Sequence, residues 1–495
     1  MGKKLTASEM DGVVYRRAKT WRIALAQLNG GVGMCFYILM GYASYLANAG
    51  YGVATAIAGL IITGTRIFDG ITDPLIALII DKTNTKHGKI RILMSIGWLI
   101  ESLAVLMLFS WASGKGHGVV FFVLTYMLYV IGYTLTNVTA QIINPVMVND
   151  PKQRPVLQVW STVYNYLCPL ILSTVINVVI LPKHGNEFSV SMLAEICMIC
   201  VCASFVLLML SFIGISHIDK PENFNGINAG SEQNKVGLRD MWQLLKSSRV
   251  LQTYIVSAAS DKLANQTSSQ AIVTTMLYGI LIGNMGLGTI LSMAAMLPSI
   301  AFVIIGAKYA GKHGNKEGIT TWTKVCVVIA VLAIIFCTVV DLRQVTVAIV
   351  PTAMFFILTL LLNGAKMCVT ASTGAMNADI IDFELERTGK FLPATIAATY
   401  SFMDKLISSL GATIAAGCVA LIGYKSVMPQ PTDAPTQSIL IMTMFLYYGM
   451  PILGWICTLI AMRFSPLSKE KMIDVQKSIQ AKKQEIAKTE PEGVN

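Results

Sequence analysis

The chain has 495 residues, of which 54% are hydrophobic and only 13% charged, and it carries a formal net charge of +11. A soluble globular chain carries about 25% charged residues, so a water-solvated fold is excluded, and the apolar blocks point to an all-α polytopic membrane protein. The basic excess does not signal nucleic acid, because 29 of the 38 Lys and Arg fall in the N-terminus, alternate loops and the tail, and only four in the remaining loops.

Residues 1–22 are polar and basic, and the apolar run that follows is too long for a cleavable signal peptide. Six apolar runs then read as spans near 24–47, 54–80, 92–112, 119–143, 156–181 and 190–216, which makes residues 23–216 one six-helix half. The stretch 217–249 is a hydrophilic linker. Six further runs near 251–282, 286–307, 320–340, 345–376, 393–423 and 437–462 make residues 250–463 a second half, and 464–495 is a charged, amphipathic tail. The basic asymmetry places both termini and the linker in the cytoplasm. The halves echo each other: Lys86-His87-Gly88-Lys89 follows the second span, and Lys312-His313-Gly314-Asn315-Lys316 follows the eighth. Twelve transmembrane helices in two parallel six-helix repeats joined by a cytoplasmic linker are the pattern of the major facilitator fold, with a substrate site near the bilayer midplane.

The second span holds the most unusual stretch, Thr65-Arg66-Ile67-Phe68-Asp69-Gly70-Ile71-Thr72-Asp73-Pro74. Three ionised side chains in an apolar run cost about 2.5–3.5 kcal/mol each on insertion scales. Arg66 and Asp69 are i,i+3 and Asp69 and Asp73 are i,i+4, so all three share a helix face. Pro74 cannot donate to the Gly70 carbonyl, which leaves an oxygen free beside the two acids and the Thr65 and Thr72 hydroxyls. An all-oxygen set of this kind suits a hard monovalent cation or a proton. The competing reading, an Arg–Asp pair that holds helices in register, has no use for the second acid.

Other polar residues at span depth are Asn29, Glu101, Asn137, Gln141, Asp261, Lys262, Lys366, Asp404 and Lys405. Asn29 precedes Gly30-Gly31, where a backbone or ligand can approach closely. Thr134, Asn137 and Gln141 lie on one face of the fourth span, either as part of a site or as interhelical glue. Lys405 lies about twelve residues into its span, too deep to snorkel easily. Cys197, Cys200 and Cys202 sit in an uninterrupted apolar helix and read as packing residues rather than metal ligands. No phosphate-binding glycine loop or His pair at ligand spacing is present, so no enzyme activity, cofactor, disulfide or structural metal is expected.

Arg66-x-x-Asp69-x-x-x-Asp73-Pro74, followed by Asp81 and the Lys86–Lys89 loop, resembles the glycoside–pentoside–hexuronide:cation symporters, the melibiose permease-like family of the major facilitator superfamily. The segment Ala378-Asp379-Ile380-Ile381-Asp382-Phe383-Glu384, followed by Arg387-Thr388-Gly389, resembles that family's cytoplasmic loop after the tenth span, and Tyr133-Thr134 and Lys405 also fit. The resemblance implies that Asp69, Asp73 and Thr134, with Thr72 beside them, bind the coupling cation, and that Lys405 lies near the substrate cavity. Asn29, Arg66, Asn137 and Gln141 complete the candidate substrate set. Asp379, Asp382 and Glu384, with Lys86, Lys89, Arg91 and Arg387, are candidate gate residues. Asn29 and Asn137 stand where melibiose permease has acids, Gln141 and Thr370 where it has aromatic residues, and Thr162 where it has an Arg, so its galactoside grip is absent here.

The expectation is therefore a secondary active transporter. It would carry a sugar, glycoside or hexuronide together with Na⁺ or H⁺ by alternating access, with a major facilitator carrier for a lysolipid, drug or other organic anion as the alternative. The expected partners are the small carbohydrate and the lipid bilayer, and the expected setting is a monomer in the plasma membrane with cytoplasmic termini.

Overall fold

The computed structural model describes residues 17–82, 90–148, 154–219, 238–299, 301–388 and 393–489. The described chain is built from helices, in two compact units: Met1–Gln233 with Gly423–Gln430, and Asn234–Ile422 with Pro431–Asn495. Among the described residues, nine helices are long and apolar enough to cross a membrane. The pair Ala271–Leu281 and Met285–Ala295, bent by 116°, supplies a tenth crossing if it is taken as one broken span.

In the N-terminal unit the main helices are Thr20–Gly41 (α1), Thr55–Lys82 (α2), Ile90–Leu106 (α3), Gly118–Met147 (α4), Arg154–Thr174 (α5) and Val190–Ile215 (α6). In the C-terminal unit they are Leu238–Ser247 (α7), Arg249–Ser268 (α8), Met285–Ser299 (α9), Ala301–His313 (α10), Asn315–Val339 (α11), Ile349–Thr388 (α12), Pro393–Leu421 (α13), Gln437–Met444 (α14), Met450–Phe464 (α15) and Lys469–Thr489 (α16).

The repeat suggested by the loops recurs in the packing partners. In the first unit α1 packs on α6 and α5, and α4 on α3 and α2; in the second, α8 packs on α15 and α13, and α12 on α11, α10 and α9. Small residues make the closest crossings, as expected where lipid supplies no hydrophobic drive between helices. A Cβ on Gly214 would lie 2.5 Å from the Ala26 nitrogen, and the Ser211 hydroxyl donates to the Ala26 carbonyl, so α6 touches α1 backbone to backbone. Gly454 of α15 repeats this on α8, where a Cβ would come within 2.8 Å of the Ser260 carbonyl oxygen, and Thr458 donates to Ser257 O. Both units also tie the start of their third long helix to the end of their last. Asp219, after α6, accepts from the backbone N–H groups of Ile90 and Arg91 at the start of α3. Lys316, in the first turn of α11, donates to the carbonyl of Ser465 just after α15.

Two elements differ from the sequence expectation, and a loop on which the sequence is silent takes an unexpected place. The run 251–282 is not one helix: α8 stops at Ser268, Gln270 is extended, and a new helix starts at Ala271. The polar run at the break explains it, since Ser268 donates to Asn265 O and the Gln270 amide to Gln266 O, supplying local alternatives to the helical ladder. The segment after the tenth span is not a loop. α12 continues to Thr388, and its last turns are held by Arg387 to Glu384 and by Thr388 donating to the Glu384 carbonyl. The loop at 424–436 does not stay with its flanking helices: Gly423–Gln430 is part of the N-terminal unit. There Tyr45 donates to Pro429 O, Asn48 donates to Ser426 O and accepts from the Met428 amide, Thr55 N donates to Lys425 O, and Phe188 N donates to the Gln430 side chain. The Lys86–Lys89 loop and residues 220–237 lie outside the described residues.

Candidate functional site

The N-terminal unit gathers the polar residues of α1, α2 and α4. Asp69, on α2, accepts a 2.7 Å hydrogen bond on Oδ1 from Thr134 Oγ1 of α4. That length is typical of a bond to a charged acceptor. Thr72 donates to the Asp69 backbone carbonyl one turn back, and Thr65 to Ile62 O, so each hydroxyl keeps lone pairs for another partner. Helix geometry puts Asp73 one turn beyond Asp69 on the same face of α2; the side chains of Asp73 and Gln141 lie outside the described residues. Arg66 lies one turn before Asp69 on α2, within electrostatic reach of Tyr126 of α4. Asn137 lies beside Tyr133 and faces α1, where a Cβ on Gly33 would meet its Oδ1 at 3.5 Å.

Asn29 of α1 is 3% exposed, and among the described residues neither its Nδ2 nor its Oδ1 has a hydrogen-bond partner. A buried amide left unpaired costs about 1–3 kcal/mol. A residue kept in that state is suited to a polar ligand or an ordered water. Glu101, on α3, is fully buried with Oε1 unpaired and Oε2 3.4 Å from Thr136 Oγ1.

The C-terminal unit carries a second set of intramembrane charges. Asp261 of α8 accepts from Trp455 Nε1 at 2.9 Å, and the Lys366 ammonium of α12 lies 5.7 Å from the centre of the same indole ring. Lys262 reaches across to Asp404 of α13 at 3.9 Å, with Lys405 next along that helix. The expected gate acids each brace a different element of this unit. Asp379 accepts from Asn315 at the start of α11, and Asp382 from Gln476 of α16. Glu384, fully buried, takes Ser248 Oγ of the α8 cap on one oxygen and the Arg387 guanidinium on the other. Arg91 pairs within the N-terminal unit, with Asp219.

Glu384→Gln leaves Arg387 and Ser248 without their anion. We expect a loss of about 2 kcal/mol, discounted because the Arg387 side chain is 35% exposed, seen as a fall in the thermal unfolding midpoint of the purified protein. An unchanged midpoint would make these charges a solvated cluster instead.

Sequence reasoning missed Trp455, which donates to Asp261 and lies beside the Lys366 ammonium, because it stands 194 residues from that acid and shares no pattern with it. It also missed Asp219, an acid at the edge of the linker; the one local signal was its place directly past an apolar run.

A helical bundle with repeated packing, apolar surfaces and carboxylates held inside its units defines the class as a multi-pass membrane protein, and the family it falls in is one of transporters, not enzymes. The chain belongs to the MFS/sugar transport protein family, whose model matches residues 23–469. The Escherichia coli K12 protein YagG, named as a glycoside/cation symporter, is 22% identical over 460 residues, covering 88% of this chain and 91% of its own. The E. coli K12 glucuronide carrier protein homolog is 29% identical over 142 residues, 27% of this chain and 30% of its own. Among solved structures, a mutant form of the nucleoside transporter NupG superposes with a TM-score of 0.62 at 12% identity, covering 89% of this chain and 99% of its own, a likeness of fold alone.

Proposed function

We propose that this major facilitator transporter couples the inward movement of Na⁺ or H⁺ to uptake of a glycoside or hexuronide. The observation that carries the reading is the Asp69 carboxylate, held by Thr134 on a face that also bears Thr72 and Asp73. Such a site binds and releases a small cation at a depth where a carboxylate without that task is costly. Two acids one turn apart repel, so a proton or Na⁺ that neutralises one of them also relaxes the pair. Filling the site then favours substrate binding, and the loaded transporter changes its open side. The unpaired amide of Asn29 and the amide of Asn137 offer neutral donors and acceptors to sugar hydroxyls. The Asp379, Asp382, Glu384 and Arg387 braces keep the α12 end rigid during that change.

Of the candidate substrate residues, Asn29 and Asn137 carry no charge and Lys405 is basic, which favours an anionic sugar over a neutral α-galactoside. The name of the glucuronide carrier relative supports the same choice. In proteoliposomes we expect a glucuronide to enter at least about tenfold faster than melibiose, and faster still with an imposed Na⁺ or proton gradient. Robust melibiose uptake without hexuronide uptake overturns the substrate assignment, and rates indifferent to both gradients overturn symport.

A further inference from the structure

The cation site above uses Asp69 and Asp73 of the N-terminal unit and gives Asp404, in the other unit, no task. Asp404 lies eleven residues after Pro393, which starts α13, or about 17 Å along the helix. Its side chain is 17% exposed. Among the described residues its buried Oδ1 has no hydrogen-bond partner, and its Oδ2 has the Lys262 ammonium at 3.9 Å. A settled charge-assisted pair closes to about 2.7–2.9 Å. The Lys262 side chain is 48% exposed, so its ammonium keeps much of its own solvation.

The other acids of this unit named above are treated differently. Asp261, Asp379, Asp382 and Glu384 each accept at least one hydrogen bond of 2.5–2.9 Å. The groups facing Asp404 are Lys262 and Tyr254 from α8, and Lys405 and Tyr400 from its own helix; Asp261 also acts on Tyr400. The Tyr254 and Tyr400 rings lie 5.3 Å apart. A carboxylate oxygen stripped of water and given no donor is poorly stabilised as an anion, whereas the neutral acid needs no such donor.

We propose that Asp404 is a proton-binding carboxyl, a second exchangeable-cation site separate from Asp69 and Asp73. The step is an addition: a proton bonds to a carboxylate oxygen of Asp404, the acid becomes neutral, and Lys262 keeps its ammonium. The cluster thereby gains one positive charge, with Lys262 released from its counter-ion. Loss of the proton restores the pair. Coupling at this site adds a proton-sensitive step to transport even if the first site carries Na⁺.

The test uses the purified full-length chain in liposomes, in an Asp69→Asn/Asp73→Asn background that silences the first site. Infrared difference spectra between high and low pH are expected to show a protonated-carboxyl band that is lost in Asp404→Asn. Proton uptake in weak buffer should fall by about one proton per chain. Lys262→Met should keep the band and move its titration midpoint. If Asp404→Asn does not fold, Asp404→Glu must retain the band at a displaced frequency. An unchanged band and proton count in Asp404→Asn, or a midpoint unmoved in Lys262→Met, overturns the proposal.

Discussion

Asp69→Asn is expected to reduce concentrative uptake by about 10- to 100-fold, the range of a typical coupling free energy, while counterflow of substrate between loaded vesicles persists. Asn has nearly the volume of Asp, and its side-chain oxygen still accepts from Thr134, whose 2.7 Å bond fixes the local geometry. What disappears is the charge that must capture and release the cation. Asp73→Asn is expected to behave the same way, because helix geometry puts position 73 on the same face one turn on. The measurement compares active accumulation with counterflow in the same vesicles at matched protein content. Accumulation at the wild-type level in both variants would reduce the pair to a structural role and remove the symport mechanism. Loss of counterflow as well would instead mean that the substrate site depends on the same carboxylates.

The second large effect is on assembly. Gly132 of α4 lies where a Cβ would sit 2.6 Å from the Glu101 nitrogen and 2.9 Å from the Gly97 carbonyl oxygen, both backbone atoms of α3. Neither can yield without moving the helix. Gly132→Val is therefore expected to force α3 and α4 apart, at a cost of about 3 kcal/mol or more, and to abolish most of the folded yield. Gly417→Ala on α13 is the matched control: nothing lies within 4 Å of its Cβ position, and replacing a helical glycine there should stabilise by about 0.5–1 kcal/mol. Detergent-solubilised yield and thermal midpoint read both. Normal yield of Gly132→Val would show that the α3–α4 contact is looser than its backbone spacing.

Much of this was legible in the chain because membrane physics writes it into local pattern. Apolar run length announces helices, and a charge inside a run stands out at once, as Asp69 does in α2. Helical spacing puts Arg66, Asp69 and Asp73 on one face, yet it could not say that Asp69 takes Thr134 of α4. Such choices depend on which helix lies opposite, and that information is spread over distant residues. The adjacent pairs Asp261–Lys262 and Asp404–Lys405 looked alike in sequence, but a tryptophan from α15 serves the first acid and a lysine from α8 reaches toward the second. Helix ends were read least well, for a physical reason. Asp379–Thr388 looks polar enough for a loop, and it stays helical through ties in its own last turns and cross-helix partners of Asp379 and Glu384.

The docked segment Gly423–Gln430 has a consequence for synthesis. The N-terminal unit takes part of its hydrogen bonding from residues translated roughly 190 positions after its main body ends at Gln233. At about 5–20 residues per second, that delay lasts on the order of 10–40 s. Through that interval Tyr45, Asn48 and the Phe188 amide wait without the groups they finally bind. The nascent first unit is thus an unfinished intermediate in the translocon, completed by one of the last loops to be made.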